Sequence, residues 1–188
     1  MEEIKDKVRR QNLRIVYTVQ DLEYARHAIR DLSGIAFSDD EISKSELRSY
    51  KLIEMAMVVS YGRPFSQSRG LPKFSFEMIG MQPSEEELNT HRELMRLRDQ
   101  VFAHSDFRKM RVKTVVEPLK DIDIDLPYYR AVFDEGLHFH GDRYLLVEKW
   151  LNVLFRRTLE HIFTGTTEDL DAWRFDIDCL QHLSQKEE

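Results

Sequence analysis

The sequence predicts an all-α protein, a bundle of four to five helices with a small β-hairpin inserted at about residues 110–136. Three observations predict it. Apolar residues recur at helical spacing over long segments. Only five Pro and seven Gly occur in 188 residues, which argues against long disordered stretches. The helical period gives way to β-branched residues before the penultimate helix, and the chain length favours one domain over residues 1–188.

Two helices are predicted in the first third of the chain. The second covers residues 39–61 and starts at Ser38 and Glu41, which have capping-box spacing. Proline and glycine in 61–74 then interrupt the helical pattern. The first helix covers residues 4–32, where the apolar positions stand three or four residues apart: Ile15, Val19, Leu22, Ala25, Ile29 and Leu32.

A third helix and the hairpin are predicted next. Ser84 and Glu87 form another capping box, and the helix that follows should run to about residue 104. The β-branched stretch 110–119 and the looser alternation at 128–136 predict two strands around an acidic turn.

The last third of the chain returns to the helical period. A strong helix is predicted over 142–163, with Thr164–Gly165 as its stop. The segment TTEDLDAWRFDIDCLQHL after that stop predicts a short final helix.

Composition bounds the class of protein. The net charge of −6 does not favour a general nucleic-acid binder. The single cysteine, Cys179, excludes an intrachain disulfide and indicates a reducing compartment. The N-terminal residues lack the apolar core of a signal peptide, and the longest apolar run, MAMVVSY, is too short for a membrane span. We therefore expect a cytoplasmic protein with no membrane association.

A basic island stands out on this acidic chain. Between His91 and Lys113 there are seven Arg and Lys residues against three acidic ones. Such an island suits the guidance of a phosphate group. It equally suits a solvated helix face followed by a basic strand, and both interpretations stay open.

The stretch LRDQVFAHSD, residues 97–106, lies in this island and pairs Arg98 with His104. Spacing alone carries no weight, because the 18 Arg and 7 His of the chain should give about two such pairs by chance. Two are found, and the other is Arg156 with His161.

Position on the helix separates these two pairs. Arg98 falls near the middle of the apolar half of the third helix, with His91 beside it one heptad earlier. An unpaired guanidinium there costs several kcal/mol, so it must be paired, exposed in a cleft or placed at an interface. A buried ion pair with Glu54 or another carboxylate is the open alternative to a functional site. Arg156 lies on a polar face, where no such cost arises.

His104 is not expected to reach Arg98 within one chain. On a straight helix its side chain would point about 120° away and lie about 9 Å along the axis. A site made of both residues therefore needs a break in the helix near Ala103, or a second subunit.

The segment RDQVFAHSD, with YGRPF in the preceding interhelical stretch, resembles the HEPN superfamily, and most of all its abortive-infection branch. The motif of that superfamily is an arginine, a polar residue after it and a histidine a few residues later. Arg98, Asp99 and His104 match these positions. The resemblance covers the helices from about 40 to 163 and implies a HEPN-like bundle.

The resemblance also implies an activity. Such families are metal-independent endoribonucleases, often toxins of defence or toxin–antitoxin systems, and they act as homodimers with both motifs facing one cleft. It implies an RNA substrate, an antitoxin protein as partner, no cofactor and no metal. His104 would be the general acid or base, Arg98 would hold the phosphate, and Asp99 would orient one of them.

The sequence departs from this family pattern at one position, and two other functions stay open. Asp106 stands where toxins silenced by nucleotide transfer carry a tyrosine. The first alternative function is a catalytically inactive HEPN domain that binds RNA or a protein partner. The second is a helical structural protein in which Arg98 is merely ion-paired.

Further substrate contacts are expected at Arg63 and Tyr61 in the segment after the second helix, and at Ser105 and Arg108 after His104. For the segment after the second helix the alternative is a connector that packs on the core through Tyr61 and Phe65.

The stretch HFHGD is the one place that hints at a metal. Its two histidines, His138 and His140, stand two residues apart with Asp142 nearby. No third strong ligand is evident, so we expect no metal there.

Overall fold

The computed structural model describes residues 2–33, 43–99, 112–118, 127–133 and 137–175, and within 112–118 and 127–133 only the backbone. This described part of the chain is mostly helical, as the apolar spacing predicted. It contains four α-helices and two short 3-10 helices. The α-helices are α1 (Glu2–Asp31), α2 (Lys44–Gly62), α3 (Glu85–Leu97) and α4 (Asp142–Glu168), and the 3-10 helices are Phe76–Ile79 and Leu170–Trp173.

Serine capping boxes start both α2 and α3. The Ser84 hydroxyl accepts from the Glu87 N–H, and the Glu87 carboxylate accepts from the Ser84 N–H at 2.7 Å, so this predicted helix start is confirmed. At α2 the same exchange joins Ser43 and Glu46. Ser43 has an extended backbone, with φ −65° and ψ 154°, so one continuous helix over 39–61 is wrong. The predicted cap at Ser38 and Glu41 lies outside the described residues.

The core forms where α1 packs against α2 and α4. Helix α3 packs on α2 and α4 at one side of it, and the 3-10 helix at Phe76–Ile79 packs on α4. Because apolar residues in each helix recur at three- and four-residue steps, one stripe of each helix is buried. The buried apolar residues are Ile15, Leu22, Ala25, Ile29, Leu32, Met57, Val58, Tyr61, Phe74, Ile79, Leu94, Leu97, Phe139, Tyr144, Val147, Trp150, Leu151 and Leu154.

Helix α4 runs past its predicted stop. The expectation of an end at Thr164–Gly165 is wrong, because the helix continues to Glu168. Gly165 serves packing instead. A Cβ at this position would lie 2.6 Å from Cε2 of Trp173, so the missing side chain makes room for the indole ring of the following 3-10 helix. Of the predicted last helix, Leu170–Trp173 is a 3-10 turn, and residues 176–188 lie outside the described part.

Two strands pair between α3 and α4. β1 (Val112–Pro118) and β2 (Pro127–Phe133) run antiparallel, with Val112 opposite Phe133 and Pro118 opposite Pro127. The residues that join them and flank them lie outside the described ranges. The insertion of a hairpin at 110–136 into the helical domain therefore stays a prediction.

None of the described helices has a stretch long and apolar enough to cross a lipid bilayer.

Candidate active site at the end of α3

The side chain of Arg98 lies across the last residue of α2. A Cβ at Gly62 would stand 2.7 Å from Cδ and 2.9 Å from Cγ of Arg98, so the arginine stem fills the space that any larger residue would need. Gly62 is buried. The hydrocarbon part of Arg98 thus belongs to the α2–α3 packing, as its place in the apolar half of the helix predicted.

The charged end of Arg98 reaches solvent. Its Nη1 donates to Oδ1 of Asp99 at 2.7 Å, and the two side chains are 30% and 55% exposed. The guanidinium is therefore not sealed in the core, and among the described residues its carboxylate partner is its neighbour Asp99 and not a residue of another helix. Because a guanidinium carries five N–H donors in a planar fork, one bond to Asp99 leaves donors for a further anion.

Backbone geometry places this pair at a helix end. The α-helix proper ends at Leu97, while Arg98 keeps right-handed helical angles, φ −55° and ψ −50°. Its N–H donates to the carbonyls of both Leu94 and Met95. The predicted extension of this helix to about residue 104 lies beyond the described residues.

The alternative that paired Arg98 with Glu54 is wrong. Glu54 is fully buried, and its carboxylate is bound elsewhere. Lys51 Nζ lies 2.6 Å from one carboxylate oxygen, and the other accepts from the backbone N–H groups of His138, at 2.6 Å, and Phe139, at 2.9 Å. Glu54 therefore fixes the segment that leads into α4, because a buried carboxylate needs this many donors to offset its lost hydration.

Three predicted site residues lie outside the described part of the chain. His104, Ser105 and Arg108 fall within 100–111. Their distances from Arg98 stay a matter of prediction, as does the completion of the site by a second subunit.

Tyr61 is a core residue, so the expectation that it contacts a substrate is corrected. The side chain is 0% exposed, and its hydroxyl is shared between two partners. It accepts from Nε1–H of Trp150 at 2.8 Å and lies 2.6 Å from Nδ1 of His91. Burial raises the pKa of this phenol, so it stays protonated.

Arg63 was also predicted to contact a substrate, and unlike Tyr61 it lies at the surface. Its side chain is 59% exposed and reaches Oδ1 of Asp21 on α1 at 3.2 Å. Burial raises the pKa of Asp21 and the hydrogen bond from Arg63 lowers it, so the pair ties the end of α2 to α1. Asp21 is only 14% exposed, so the pair is half-buried, but the 59% exposed side chain of Arg63 can still meet an anion at the surface.

His91 is the residue that sequence reasoning left unused. Its ring lies against Phe65 and Phe76, at 4.6 and 5.1 Å between ring centroids. Burial first, and then the charge of Arg92, lower the pKa of His91 to about 4. The heptad spacing to Arg98 was the signal that singled it out, but spacing alone does not reveal aromatic neighbours that come from a loop.

The histidines of HFHGD stand next to the segment that leads into α4. Among the described residues no group of three or more His, Cys, Asp or Glu side chains is placed to hold a metal ion. His138 instead packs near the Lys51–Glu54 pair, and burial, followed by the charge of Lys51, lowers its pKa.

Comparisons with known proteins found no relative. No family model matches the chain, and neither the curated proteins nor the solved structures contain a match.

Proposed function

We propose that this protein is a metal-independent endoribonuclease of a defence or toxin–antitoxin type, with a HEPN-like helical bundle and a dimeric Arg/His site. The observation that carries the proposal is the setting of Arg98. Its stem is held against Gly62 while its guanidinium lies at the surface on Asp99. A purely structural arginine would be expected to bind a carboxylate of a neighbouring helix, and Glu54, the carboxylate considered for that role, is engaged by Lys51, His138 and Phe139 instead.

The proposed reaction is the attack of an RNA 2′-hydroxyl on the adjacent phosphate. The 2′-oxygen forms a bond to phosphorus, the bond to the 5′-oxygen breaks, and a 2′,3′-cyclic phosphate remains on the upstream fragment. His104 exchanges the protons as general acid or base, because an imidazole titrates near neutral pH. Arg98 stabilises the charge that grows on the phosphate oxygens, and Asp99 holds the guanidinium in place.

The proposal includes a homodimer. Arg98 and His104 of one chain diverge by about 120° if the helix continues straight through residue 104. Two copies of α3 facing each other would bring an arginine and a histidine to the same phosphate. An antitoxin protein would then act by covering that cleft.

The decisive experiment incubates RNA with the full chain in EDTA. We expect cleavage by the wild type and a loss of about 10²–10⁴-fold in His104→Ala. His161→Ala is the matched control, since His161 follows Arg156 with similar spacing on α4. We expect it to cleave as the wild type does. The products should carry 2′,3′-cyclic phosphate ends, and DNA of the same sequence should stay intact.

Two outcomes would contradict the proposal. Equal cleavage by the wild type and His104→Ala would mean that the activity comes from elsewhere. RNA binding without any cleavage would favour the alternative, a catalytically inactive HEPN-like domain that binds RNA or a protein partner.

A further inference from the structure

An open cavity of about 520 Å³ adjoins His91, on the loop that joins α2 to α3. This volume lies within the range usual for small-ligand sites. One part of its wall is aromatic, from Phe65, Phe74 and Phe76, and Gln82 and Glu77 add polar groups. The phenylalanine rings meet edge to face or tilted, with centroids 5.5–6.5 Å apart, so they hold one another in fixed orientations.

The hydrogen bonds of the core fix which nitrogen of His91 carries the proton. The indole of Trp150 can only donate, so Tyr61 Oη accepts from it. Among the described residues the buried phenol proton then has one acceptor within reach, which is His91 Nδ1 at 2.6 Å. With Nδ1 as acceptor, the neutral ring carries its hydrogen on Nε2. No described residue accepts from Nε2, and the His91 ring lines the cavity.

We propose that this cavity binds a heteroaromatic ring of the nucleobase class, stacked on the phenylalanines and hydrogen-bonded in its plane by His91 Nε2–H. Every nucleobase has a flat face for stacking and ring-edge acceptors for a neutral N–H donor. An organic cation also suits aromatic walls and the Glu77 carboxylate, but the N–H donor of His91 repels it. The in-plane donor of His91 therefore favours a nucleobase, whose edge offers acceptors for that donor and N–H groups for Glu77.

The place of the cavity links it to Arg98. His91 and Arg98 stand seven residues apart on α3, which puts them on nearly the same face and about 10 Å apart along the axis. They also meet consecutive residues of α2, because His91 bonds Tyr61 and Arg98 covers Gly62. In this respect the inference rests on the proposed function: a base held at His91 selects which RNA nucleotide lies beside the phosphate at Arg98.

A titration followed by NMR tests the site directly. The imidazole signals of His91 in the full chain are recorded while ribonucleoside 5′-monophosphates are added, and ribose 5-phosphate is the base-free control. We expect at least one nucleotide to shift the His91 signals, and ribose 5-phosphate to leave them unchanged. Equal shifts with ribose 5-phosphate, or none with any nucleotide, would overturn the proposal. So would a shift produced by choline alone, since that would make the cavity a cation site.

Matched substitutions locate the binding. Phe65→Leu removes one wall ring and should weaken nucleotide binding about tenfold. Phe155→Leu is the control, because Phe155 is similarly half-buried but packs under Arg26 of α1, away from the cavity. Equal weakening in both variants would contradict a base site at Phe65. The wild-type titration remains decisive if Phe65→Leu does not fold.

The titration and the cleavage assay fail independently. Mononucleotide binding at His91 needs no catalysis, so an inactive protein can pass this test. Conversely, an active ribonuclease that ignores mononucleotides would keep the proposed function and lose only the base site.

Discussion

Arg98 and Arg156 each precede a histidine by a similar number of residues, yet the structure treats the two arginines differently. Arg156 lies on the outer face of α4, 66% exposed, with Nε 3.7 Å from Oε1 of Glu160 one turn later. The stem of Arg98 packs on Gly62, and only its charged end reaches solvent. The His161 ring near Arg156 lies against Trp173, 5.7 Å between centroids.

The difference shows where functional information resides in such a pair. Spacing places two residues on a chain, but the packing of the stem decides whether a guanidinium is held in one position or moves freely. A positioned arginine has already given up side-chain entropy, so an incoming phosphate loses less on binding. Arg156 lies on a solvated face with no packed stem, so it gives no such advantage.

The largest expected effect separates the two arginines by activity. Arg98→Ala should lower RNA cleavage by about 10²–10³-fold, because a donor to the transition-state charge is lost. Arg156→Ala should leave cleavage within about twofold of the wild type. Single-turnover rates at equal RNA concentration measure both. Similar losses in the two variants would show that the packing of Arg98 has no functional meaning.

Two carboxylates extend the comparison to stability. Glu54→Gln should lower the free energy of unfolding by about 3 kcal/mol, because the buried charge that accepts from Lys51, His138 and Phe139 is lost. Asp99→Asn lies at the surface and should change it by less than about 0.5 kcal/mol. Its effect should fall on cleavage instead, by about tenfold, through a less well held Arg98. Urea denaturation of both variants gives the free energies of unfolding. A larger loss in Asp99→Asn than in Glu54→Gln would contradict the structural role given to Glu54.

Two helical glycines compare a rigid neighbouring side chain with a flexible one: Gly165 lies against the indole of Trp173 and Gly62 against the stem of Arg98. Gly165→Ala should cost about 1–3 kcal/mol of unfolding free energy, because the indole of Trp173 must shift as a whole. Gly62→Ala displaces only the flexible stem of Arg98, so stability should change by less than about 1 kcal/mol. Cleavage should nevertheless fall about tenfold, because the guanidinium moves with its stem. Thermal melts measure the stability of both variants, and single-turnover rates measure their RNA cleavage. A Gly62→Ala variant that cleaves as the wild type does would contradict the prediction.

The last prediction is a pH dependence of stability at His91, compared with His161. His91 has a pKa of about 4 in the folded chain and near 6.5 when unfolded. The unfolded chain therefore binds more protons between these values, and stability falls as the pH drops from about 6.5 to 4. His91→Gln, which keeps an acceptor for Tyr61, should flatten this fall.

The matched variant His161→Gln should flatten it less, since Glu168 partly offsets the effect of burial on the pKa of His161. The free energies of unfolding of the wild type and both variants, measured from about pH 4 to 6.5, give the three slopes to compare. Equal slopes in the wild type and His91→Gln would contradict the role given to burial at His91.

Local chemistry made part of the fold predictable from the sequence. The capping box at Ser84 and Glu87 needs only residues three apart, and it was confirmed. The predicted helix end at Gly165 was wrong because this glycine makes room for the indole of Trp173. No local sequence pattern encodes that contact. A serine closer to the helix, Ser43, caps α2, although Ser38 offered the same spacing.

The candidate site was predictable to a similar extent. Helical geometry alone indicated that Arg98 lies on an apolar face. The identity of its surroundings depends on tertiary packing: Gly62 under the stem and Asp99 on the guanidinium, with Glu54 already engaged. The burial of Tyr61 depends equally on Trp150, nearly ninety residues away along the chain.

Helix α2 contacts both ends of the long segment between α3 and α4, which runs from Arg98 to His138. The side chain of Arg98, at the start of this segment, packs on Gly62. The backbone N–H groups of His138 and Phe139, at its end, donate to Glu54. When two ends are anchored on one rigid element, changing the length of what lies between them costs little, roughly 0.6 kcal/mol for each doubling. We therefore expect insertions or deletions between Arg98 and His138 to cost little stability as long as both contacts with α2 are kept.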